Sequence, residues 1–350
     1  MFSCGPVTRE ADSSRQPGAL RVKIEFLIPG SPNDAFFSQV AMFRLALDHL
    51  GGMYESARVV LCLGAGPEAP GLSRWKRHLE RTFGLGADPE APVPPRWKRH
   101  LERVEVVSAP SAFRNGGGAG SLRYELLGSD ADLSVLCDAD TLILRAFAHS
   151  DLQNFTRYPA IRGVIAHFPP ALVDRSGHDY TARGHEWFWN FVSARAMDRS
   201  IAFNHFYTLT PGRVPSPFYV NHGFVIGTPA LLRRVGEALT TIRPKIRLLL
   251  ANYYAEQIAL ALGCVASEVS TAALPVRYNF PNDPVADAMY PDELSNALVI
   301  HFLRTKHFDR HRIFTSPAAF EEFLGLPLVG SSRALQQRVH EITGGTYPFD

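Results

Sequence analysis

A short apolar run that stops abruptly at an aspartate is the feature that most constrains the fold of this chain. Leu133 to Cys137 has the length and composition of a strand buried on both faces of a sheet, and Asp138 follows it directly. Open α/β sheets bind ligands outside the carboxyl ends of their strands. Because Asp138 and Asp140 are two residues apart, both carboxylates can face one side and share one hard cation. The segment therefore predicts a metal site at a sheet edge.

A second pair of aspartates provides an internal control. Asp130 and Asp132 precede the strand, and no apolar run leads into them. Aspartates in such a position favour turns, because their side chains bond to nearby backbone groups. We therefore interpret Asp130 and Asp132 as turn or solvated surface.

Strands and helices alternate in the first half of the chain. Apolar alternation from Val22 to Ile28 predicts a first strand, and further strands are expected over residues 57–63 and 104–107. An apolar stripe at helical spacing from Phe36 to Leu50 predicts the intervening helix. This alternation predicts an α/β fold with a mostly parallel central sheet flanked by helices.

The overall composition is that of a soluble enzyme. The 350 residues are 46% hydrophobic and 20% charged, enough for one large or two small cores, and the formal net charge is +2. Because this charge is close to balance, we expect no nucleic-acid partner. Cys62 and Cys137 fall in apolar, strand-like runs, where a thiol acts as a small hydrophobic group, and this favours a cytoplasmic protein.

Two further stretches resemble targeting or membrane segments only superficially. Residues 1–20 are rich in Ser, Gly, Pro and charge, which predicts a disordered tail and not a signal peptide. The apolar stretch 246–266 is interrupted by Arg247, Glu256 and Gln257. It is therefore predicted to form a buried helix and no transmembrane segment.

A tandem duplication lies between the second and third predicted strands. Leu63–Arg81 aligns with Leu85–Arg103, and fifteen of the nineteen aligned pairs are identical. Two copies are too few for a solenoid. We interpret one copy as the crossover helix and the other as an added surface helix. A basic face for peripheral contact with anionic lipid or a polyanion is the functional alternative.

The glycine-rich stretch 111–120 resembles a phosphate-binding loop, but no strand feeds directly into a Gly-x-x-x-x-Gly-Lys pattern. A flexible linker before a helix over residues 121–127 is expected instead. Arg123, in that helix, is a candidate contact for phosphates or a sugar, and a plain surface arginine is the alternative.

Residues 146–217 are rich in aromatic side chains and histidine, with Trp187, Phe188, Trp189 and Phe191 close together. Sugars stack on such rings. On a helix, however, Trp187 and Phe191 share one face while Trp189 points elsewhere, so most of the cluster is predicted to be core.

Four short segments follow Asp138 and Asp140 along the chain, and their order forms a recognisable pattern. They are Asn221-His222-Gly223, Glu256-Gln257, Arg277-Tyr278-Asn279-Phe280, and the apolar strand end Val299-Ile300-His301. In order and context they resemble GT-A glycosyltransferases that use nucleotide sugars, most closely the retaining glycosyltransferase family 8 and its relatives. The resemblance runs from about Lys23 to Lys306.

This resemblance implies a metal centre and a donor site. Asp138, Asp140 and His301 match the residues that hold manganese on the donor diphosphate. Two carboxylates and an imidazole suit manganese better than calcium, and magnesium is the alternative. Glu256 and Gln257 match a helix that borders the donor sugar, which implies a catalytic role for them and transfer with retention. The implied donor contacts are Ile28, Pro29, Gly30, Arg123, Ala139, Asn221, Gly223 and Lys306, and the implied acceptor-side residues are Trp187, His222, Tyr278 and Asn279.

The chain departs from the family after the late histidine. There the family continues to a Gly and then Lys-Pro-Trp, whereas this chain reads His301-Phe-Leu-Arg-Thr-Lys306. Lys306 is one residue closer to the histidine and the glycine is absent, so Arg304 is a substitute candidate for the phosphate contact. This departure indicates that the chain resembles a divergent branch of the family.

The expected function is transfer of a hexose from a UDP-linked donor to a carbohydrate, lipid or protein acceptor that the sequence leaves unknown. The expected organisation is a GT-A domain over residues 21–310, with an acceptor-side insert at 146–217 and a helical extension at 311–350.

Two alternative functions stay open. One is a phosphatase of the haloacid dehalogenase type that uses Asp138 as nucleophile and Asp283 and Asp287 as its late acidic pair. Its nucleophile normally follows the first strand, however, and three strands precede Asp138. The other is a catalytically inactive nucleotide-sugar-binding protein.

Overall fold

The computed structural model describes residues 22–64, 93–109, 118–170, 183–250 and 254–350. The predicted tail at 1–20, nearly all of the first repeat copy and most of the glycine-rich stretch lie outside the described residues.

The strands form one large sheet and two small ones. The twelve described strands are β1 Ile24–Gly30, β2 Arg58–Leu63, β3 Glu105–Ser108, β4 Leu133–Cys137, β5 Thr141–Ile143, β6 Ile161–Ile165, β7 His205–Phe206, β8 Pro215–Ser216, β9 Val220–Gly227, β10 Thr271–Ala273, β11 Phe280–Pro281 and β12 Val299–His301. The large sheet has seven strands in the order β10-β6-β9-β4-β1-β2-β3. Strand β9 pairs antiparallel with both neighbours, and the other pairs are parallel. The prediction of an α/β fold with a mostly parallel central sheet is confirmed.

Helices cover this sheet on both faces. The described helices are α1 Asp34–Leu50, α2 Gly52–Glu55, α3 Pro95–Lys98, α4 Gly118–Glu125, α5 His149–Arg157, α6 His185–Met197, α7 Pro229–Leu249, α8 Ala255–Ala266, α9 Pro284–Met289, α10 Pro291–Ser295, α11 Pro317–Gly325 and α12 Gly330–Thr343, with short 3-10 turns at Arg99–Leu101 and Val276–Tyr278.

The first helix shows how local sequence sets these boundaries. Oδ1 of Asn33 accepts a hydrogen bond from the backbone N of Phe36 and so caps the start of α1. Gly51, with φ of 68°, ends it in a conformation that favours glycine. Between these caps the apolar stripe packs on the sheet, as its spacing predicted.

The segment after residue 310 belongs to the same core as the sheet. Phe320 and Phe323 of α11 and Leu335 and Val339 of α12 are buried in the hydrophobic cluster that contains α1 and β1. The two C-terminal helices therefore pack on the domain and do not form a separate core.

The segment 146–217 also contributes to the central sheet, because it contains β6. On α6, Phe188 and Trp189 are buried, while Trp187 stacks on Phe191 with ring centroids 5.1 Å apart. The helical spacing predicted this division of the aromatic cluster.

The second copy of the duplication lies in the crossover from β2 to β3. Trp97 of α3 is buried, and its Nε1 donates to Oδ1 of Asp34 on α1 at 2.7 Å. Leu101 of the following 3-10 turn is buried as well. The basic sequence Arg96–Arg103 thus carries an apolar face that packs against the domain.

The apolar stretch 246–266 was predicted to form one buried helix, but residues 246–249 end α7 and residues 255–266 are the whole of α8. The described apolar residues of this stretch are largely buried. Among the described residues, none of the helices has the length and apolar character needed to cross a membrane.

Candidate active site

Three side chains suited to metal binding converge at the carboxyl edge of the central sheet. Asp138 and Asp140 follow β4, and His301 ends β12. Strand β12 pairs antiparallel with β5, and this register places His301 opposite Thr141, the residue after Asp140. Nε2 of His301 lies 3.2 Å from Oδ1 of Asp140 and 3.9 Å from Oδ2 of Asp138. One ligand atom from each residue lies within 4.8 Å of the other two, and we name the three residues the Asp-Asp-His cluster.

The two carboxylates differ in their protonation behaviour. Burial raises the pKa of Asp138, and the neighbouring Asp140 carboxylate adds to this rise. Burial acts in the same direction on Asp140, but the His301 ring and the Arg310 guanidinium outweigh it and hold the pKa of Asp140 below its usual range. Two carboxylates held this close, with one of them kept ionised, provide the concentrated negative charge that a divalent cation neutralises.

An irregular stretch of β9 lies beneath His301. Between the pairs Gly163–Val225 and Ile165–Val220, β9 advances five residues while β6 advances two. The extra residues include Asn221, His222 and Gly223. Bulges of this kind redirect side chains and are common beside active sites.

Gly223 lies directly against the His301 ring. A Cβ atom at Gly223 would be 2.2 Å from Nδ1 of His301 and 2.9 Å from Oδ1 of Asn279. Oδ1 of Asn221 accepts hydrogen bonds from the backbone N of Gly223 at 2.8 Å and from Nδ2 of Asn279 at 3.1 Å. Only a glycine therefore allows His301 and Asn279 to approach the strand as they do.

Two buried polar atoms beside Gly223 show that His301 fits a metal ion. Nδ1 of His301 and Oδ1 of Asn279 are both buried without a hydrogen-bond partner in the described part of the chain. A histidine that binds metal through Nε2 carries its proton on Nδ1 and usually donates it to a nearby acceptor. Oδ1 of Asn279 is such an acceptor, held against the same glycine. The donor set of two carboxylates and one imidazole suits manganese or magnesium better than calcium.

Arg123 of α4 is buried close to Asp138. Its side chain is only 4% exposed, so the interpretation of a plain surface arginine is wrong. Nε and Nη1 of Arg123 are buried and form no hydrogen bond within the described ranges. The Arg123 charge opposes the burial-driven rise in the pKa of Asp138, which indicates that the two groups are close. Burial of an unpaired guanidinium is costly, and it indicates an anionic ligand.

His222 lies beside Arg123. Burial lowers the pKa of His222 well below its usual range, and the charges of Arg123 and Arg243 lower it further. Nε2 of His222 is buried without a hydrogen-bond partner among the residues described. The ring is therefore a neutral hydrogen-bonding group next to the unpaired guanidinium.

Glu256 and Gln257 lie in the first turn of α8 and have different partners, as their separation of about 100° around a helix predicts. Oε1 and Oε2 of Glu256 lie 2.6 Å from Nη2 of Arg247 and 2.8 Å from Nε of Arg243. Oη of Tyr219 donates to Oε1 of Gln257 at 3.0 Å, and this bond orients the amide. Glu256 is thus paired with two arginines, and Gln257 is the less constrained of the two.

The end of β1 lies beside β4 at the same edge of the sheet. The parallel register pairs Leu27 with Leu136, so that two residues further on Pro29 lies level with Asp138. The residues predicted to contact the nucleotide here are Ile28, Pro29, Gly30 and Ala139.

Three predicted residues make their described contacts elsewhere. Tyr278 is buried, and its hydroxyl donates to Oδ2 of Asp151 at 2.6 Å. Trp187 stacks on Phe191 of the same helix. Lys306 is exposed. None of these described contacts involves the Asp-Asp-His cluster, and the predicted roles of Tyr278, Trp187 and Lys306 stay predictions.

A different basic residue reaches the cluster after His301. Arg304 pairs with Asp283, with 3.0 Å between Nε and Oδ2, whereas Nη1 of Arg310 donates to Oδ2 of Asp140. Sequence reasoning missed Arg310, because residues 303–312 contain several basic residues and no periodicity distinguishes one of them.

His167 is a second residue that the sequence did not indicate. Its Nδ1 lies 2.7 Å from Oγ1 of Thr208, which itself donates to the carbonyl oxygen of Ile165 at 3.3 Å. Nδ1 is therefore the protonated nitrogen, and the buried Nε2, which has no partner in the described segments, keeps its lone pair. Burial lowers the pKa of His167 to about 3, and the charges of His301 and Arg304 contribute. A single histidine outside any motif gives no sequence signal.

No protein-family model and no curated protein matches this chain. Among solved structures, an apo structure of the bifunctional glycosyltransferase WbbM aligns with 94% of this chain at 11% identity and a TM-score of 0.46. This chain covers 53%, or about half, of that structure. The apo form of mouse xyloside xylosyltransferase 1 aligns with 81% of this chain and 97% of its own length, at 9% identity and a TM-score of 0.41.

Proposed function

We propose that this protein is a metal-dependent glycosyltransferase of the GT-A fold. It transfers a hexose from a nucleotide diphosphate sugar, with UDP as the expected nucleotide, to a carbohydrate, lipid or protein acceptor. The observation that carries the proposal is the convergence of Asp138, Asp140 and His301 at the carboxyl edge of a mostly parallel sheet, with the unpaired Arg123 beside them. The motif order from Asp138 to His301 supports the same conclusion.

Each part of this edge has a task in the proposal. Asp138, Asp140 and His301 hold manganese, with magnesium as the alternative, and the ion supplies charge stabilisation for the departing diphosphate. Gly223 lets His301 approach, and Oδ1 of Asn279 would accept a hydrogen bond from Nδ1 of His301 once a metal ion orients the ring. The end of β1 receives the nucleotide. His222 and Arg123 line the region between Asp138 and α7.

Arg123 is assigned to the donor diphosphate. A guanidinium whose Nε and Nη1 are buried without a partner among the described residues gains charge-assisted hydrogen bonds when an anion binds. In this proposal the donor charge lies between Arg123 on one side and the Asp-Asp-His cluster on the other. Lys306 keeps its predicted role only if its exposed side chain folds over the bound donor.

Arg123→Met is expected to change stability and binding in opposite directions. The free energy of unfolding should rise by about 1 kcal/mol, because an unpaired buried charge is replaced by an apolar group of similar length. Affinity for pyrophosphate at saturating manganese should fall by roughly 10- to 100-fold, because the charged hydrogen bonds are lost. Denaturant unfolding measures the free energy of unfolding, and titration calorimetry measures the affinity for pyrophosphate.

The exposed Arg157, changed to Met, is the matched control and should alter neither quantity. A variant at Arg123 that loses stability and keeps its pyrophosphate affinity would assign the residue to the structure of the domain.

Transfer is expected to proceed with retention at the anomeric carbon. Glu256 is paired with Arg243 and Arg247, so it is poorly placed to act as the general base that an inverting reaction needs. Gln257 is uncharged, and its amide is oriented by Tyr219, which suits a contact with the sugar face. Proton NMR of the first product formed from an α-linked donor should show an α-glycoside. A β-glycoside would mean inversion and would require Glu256 to leave its arginine partners.

The phosphatase alternative has less support from the geometry. Its late acidic pair would be Asp283 and Asp287. Asp283 pairs with Arg304 and accepts a hydrogen bond from the backbone N of Val285. The carboxylate of Asp287 accepts from the backbone N of Ser331. Both acids therefore already have structural partners.

A panel of nucleotide sugars, incubated with the protein with and without manganese, tests the proposed function. Release of free nucleotide from one donor class, dependent on manganese, is the expected result. Binding of a nucleotide sugar without turnover, in the presence of a range of acceptors, would favour the inactive binding protein. Phosphate release from p-nitrophenyl phosphate would favour the phosphatase.

Cytoplasmic location and peripheral membrane contact remain predictions.

A further inference from the structure

The guanidinium of Arg310 is hydrogen-bonded to a carboxylate of the Asp-Asp-His cluster, that of Asp140. Its Nη1 donates to Oδ2 of Asp140 and to the carbonyl oxygen of Leu303, the latter at 3.0 Å. The other oxygen of Asp140, Oδ1, lies 3.2 Å from Nε2 of His301. Both carboxylate oxygens of Asp140 therefore have a partner, and one partner is a permanent cation.

The backbone of Arg310 is anchored, and its guanidinium forms a third hydrogen bond, from Nε to Nε2 of His311 at 3.2 Å. Gln39, buried on α1, donates from Nε2 to the carbonyl oxygen of Arg310 at 3.0 Å. Phe308 and Ile313, on either side of it, are buried. The Arg310 side chain is 22% exposed, so the guanidinium can change partners without movement of the chain.

A divalent cation in the cluster would sit close to this guanidinium. The two positive groups repel each other, and they compete for the negative charge of the Asp140 carboxylate. Without a cation, the guanidinium offsets the paired negative charges of Asp138 and Asp140. When a cation is bound, the guanidinium of Arg310 is no longer needed to balance that charge. A diphosphate bound at the same edge is a new partner of suitable chemistry.

We infer that Arg310 is a positioning switch, which holds Asp140 in the metal-free protein and moves to the donor diphosphate when metal binds. The inference rests on the proposed function, because it takes the diphosphate as the second partner. Its consequence is positive coupling. The metal displaces Arg310 from Asp140, and the diphosphate gives the displaced guanidinium a new partner, so each ligand favours binding of the other.

The test compares Arg310→Gln with wild type in two titrations. The Kd for manganese alone, followed by the EPR signal of the free ion, is expected to fall about tenfold, because a competing cation is removed. The Kd for inorganic pyrophosphate at saturating manganese is expected to rise about tenfold, because a charged hydrogen bond is lost. Opposite effects on the two ligands distinguish a switch from a residue that merely supports the fold.

Two further variants complete the design. Arg312→Gln removes the same charge from an exposed position two residues away and should match wild type in both titrations. Arg310→Lys keeps the charge but not the planar guanidinium, and both of its Kd values should lie between those of wild type and Arg310→Gln. Thermal unfolding shows that each variant is folded. If Arg310→Gln does not fold, Arg310→Lys replaces it in the comparison, and values equal to those of Arg312→Gln would overturn the inference.

An unchanged or higher manganese Kd for Arg310→Gln overturns the inference, and so does an unchanged pyrophosphate Kd. If wild type binds manganese and Arg310→Gln behaves identically, the switch is rejected while the proposed function stands. If neither protein binds manganese, the metal site itself is rejected, and the inference fails with it.

Discussion

Asp138→Asn and Asp140→Asn are each expected to reduce metal-dependent donor hydrolysis by about 10²- to 10³-fold, the usual effect of losing one preorganised charge interaction. Each change removes an anionic ligand and keeps the shape of the side chain. The fold should be retained, because the two carboxylates lie at the sheet edge, 28% and 14% exposed. Either change relieves their mutual repulsion, although Asp140→Asn also loses the ion pair with Arg310. The measurements are kcat/KM for donor hydrolysis at saturating manganese and the thermal unfolding midpoint.

The control for this pair is Asp132→Asn. The Asp132 carboxylate accepts a hydrogen bond from the backbone N of Lys23 at 2.7 Å, and an asparagine oxygen can accept the same bond. This variant should retain full activity. Rates for Asp138→Asn and Asp140→Asn within a few-fold of wild type would reject the metal assignment.

Gly223→Ala is expected to weaken manganese binding strongly by displacing His301. The new methyl group would meet Nδ1 of His301 at 2.2 Å and Oδ1 of Asn279 at 2.9 Å, too close for either to stay in place. The free energy of unfolding should fall by roughly 1–3 kcal/mol, the usual effect of overpacking a tight site. Manganese affinity should fall by about 10- to 100-fold, the usual effect of losing the residues that hold a metal ligand in place.

Gly325→Ala is the matched control, because a Cβ atom there meets no other atom within 4 Å. It should leave both quantities unchanged. A Gly223→Ala protein that binds manganese as tightly as wild type would show that His301 is not a ligand in the arrangement described.

The sequence was sufficient to locate Asp138 and Asp140 because their position depends on local signals. An apolar run of five residues specifies a buried strand, and the carboxyl end of a strand in a parallel sheet is where ligands bind. The same local signals predicted α1 and the division of the aromatic residues on α6. Periodicity and capping act within a few residues of one another, so they can be identified without a structure.

His301 and Arg310 depend on contacts that no local pattern specifies. His301 meets Asp140 through the pairing of β12 with β5, across about 160 residues, and only the resemblance to a family indicated it. Arg310 lies in an irregular segment whose direction is set by buried neighbours such as Phe308 and Ile313. For the same reason the burial of Arg123 was not expected, because it depends on how α4 packs against the sheet and α7.

The most direct test of the central claim is diffraction from crystals soaked in manganese and a nucleotide sugar, with data collected for the anomalous signal of manganese. We expect one strong peak bonded to a carboxylate oxygen of Asp138, a carboxylate oxygen of Asp140 and Nε2 of His301, at roughly 2.0–2.3 Å. We also expect a donor diphosphate in contact with Arg123. A peak away from these three residues, or density for a phosphoryl group covalently attached to Asp138, would contradict the proposed metal-dependent transfer.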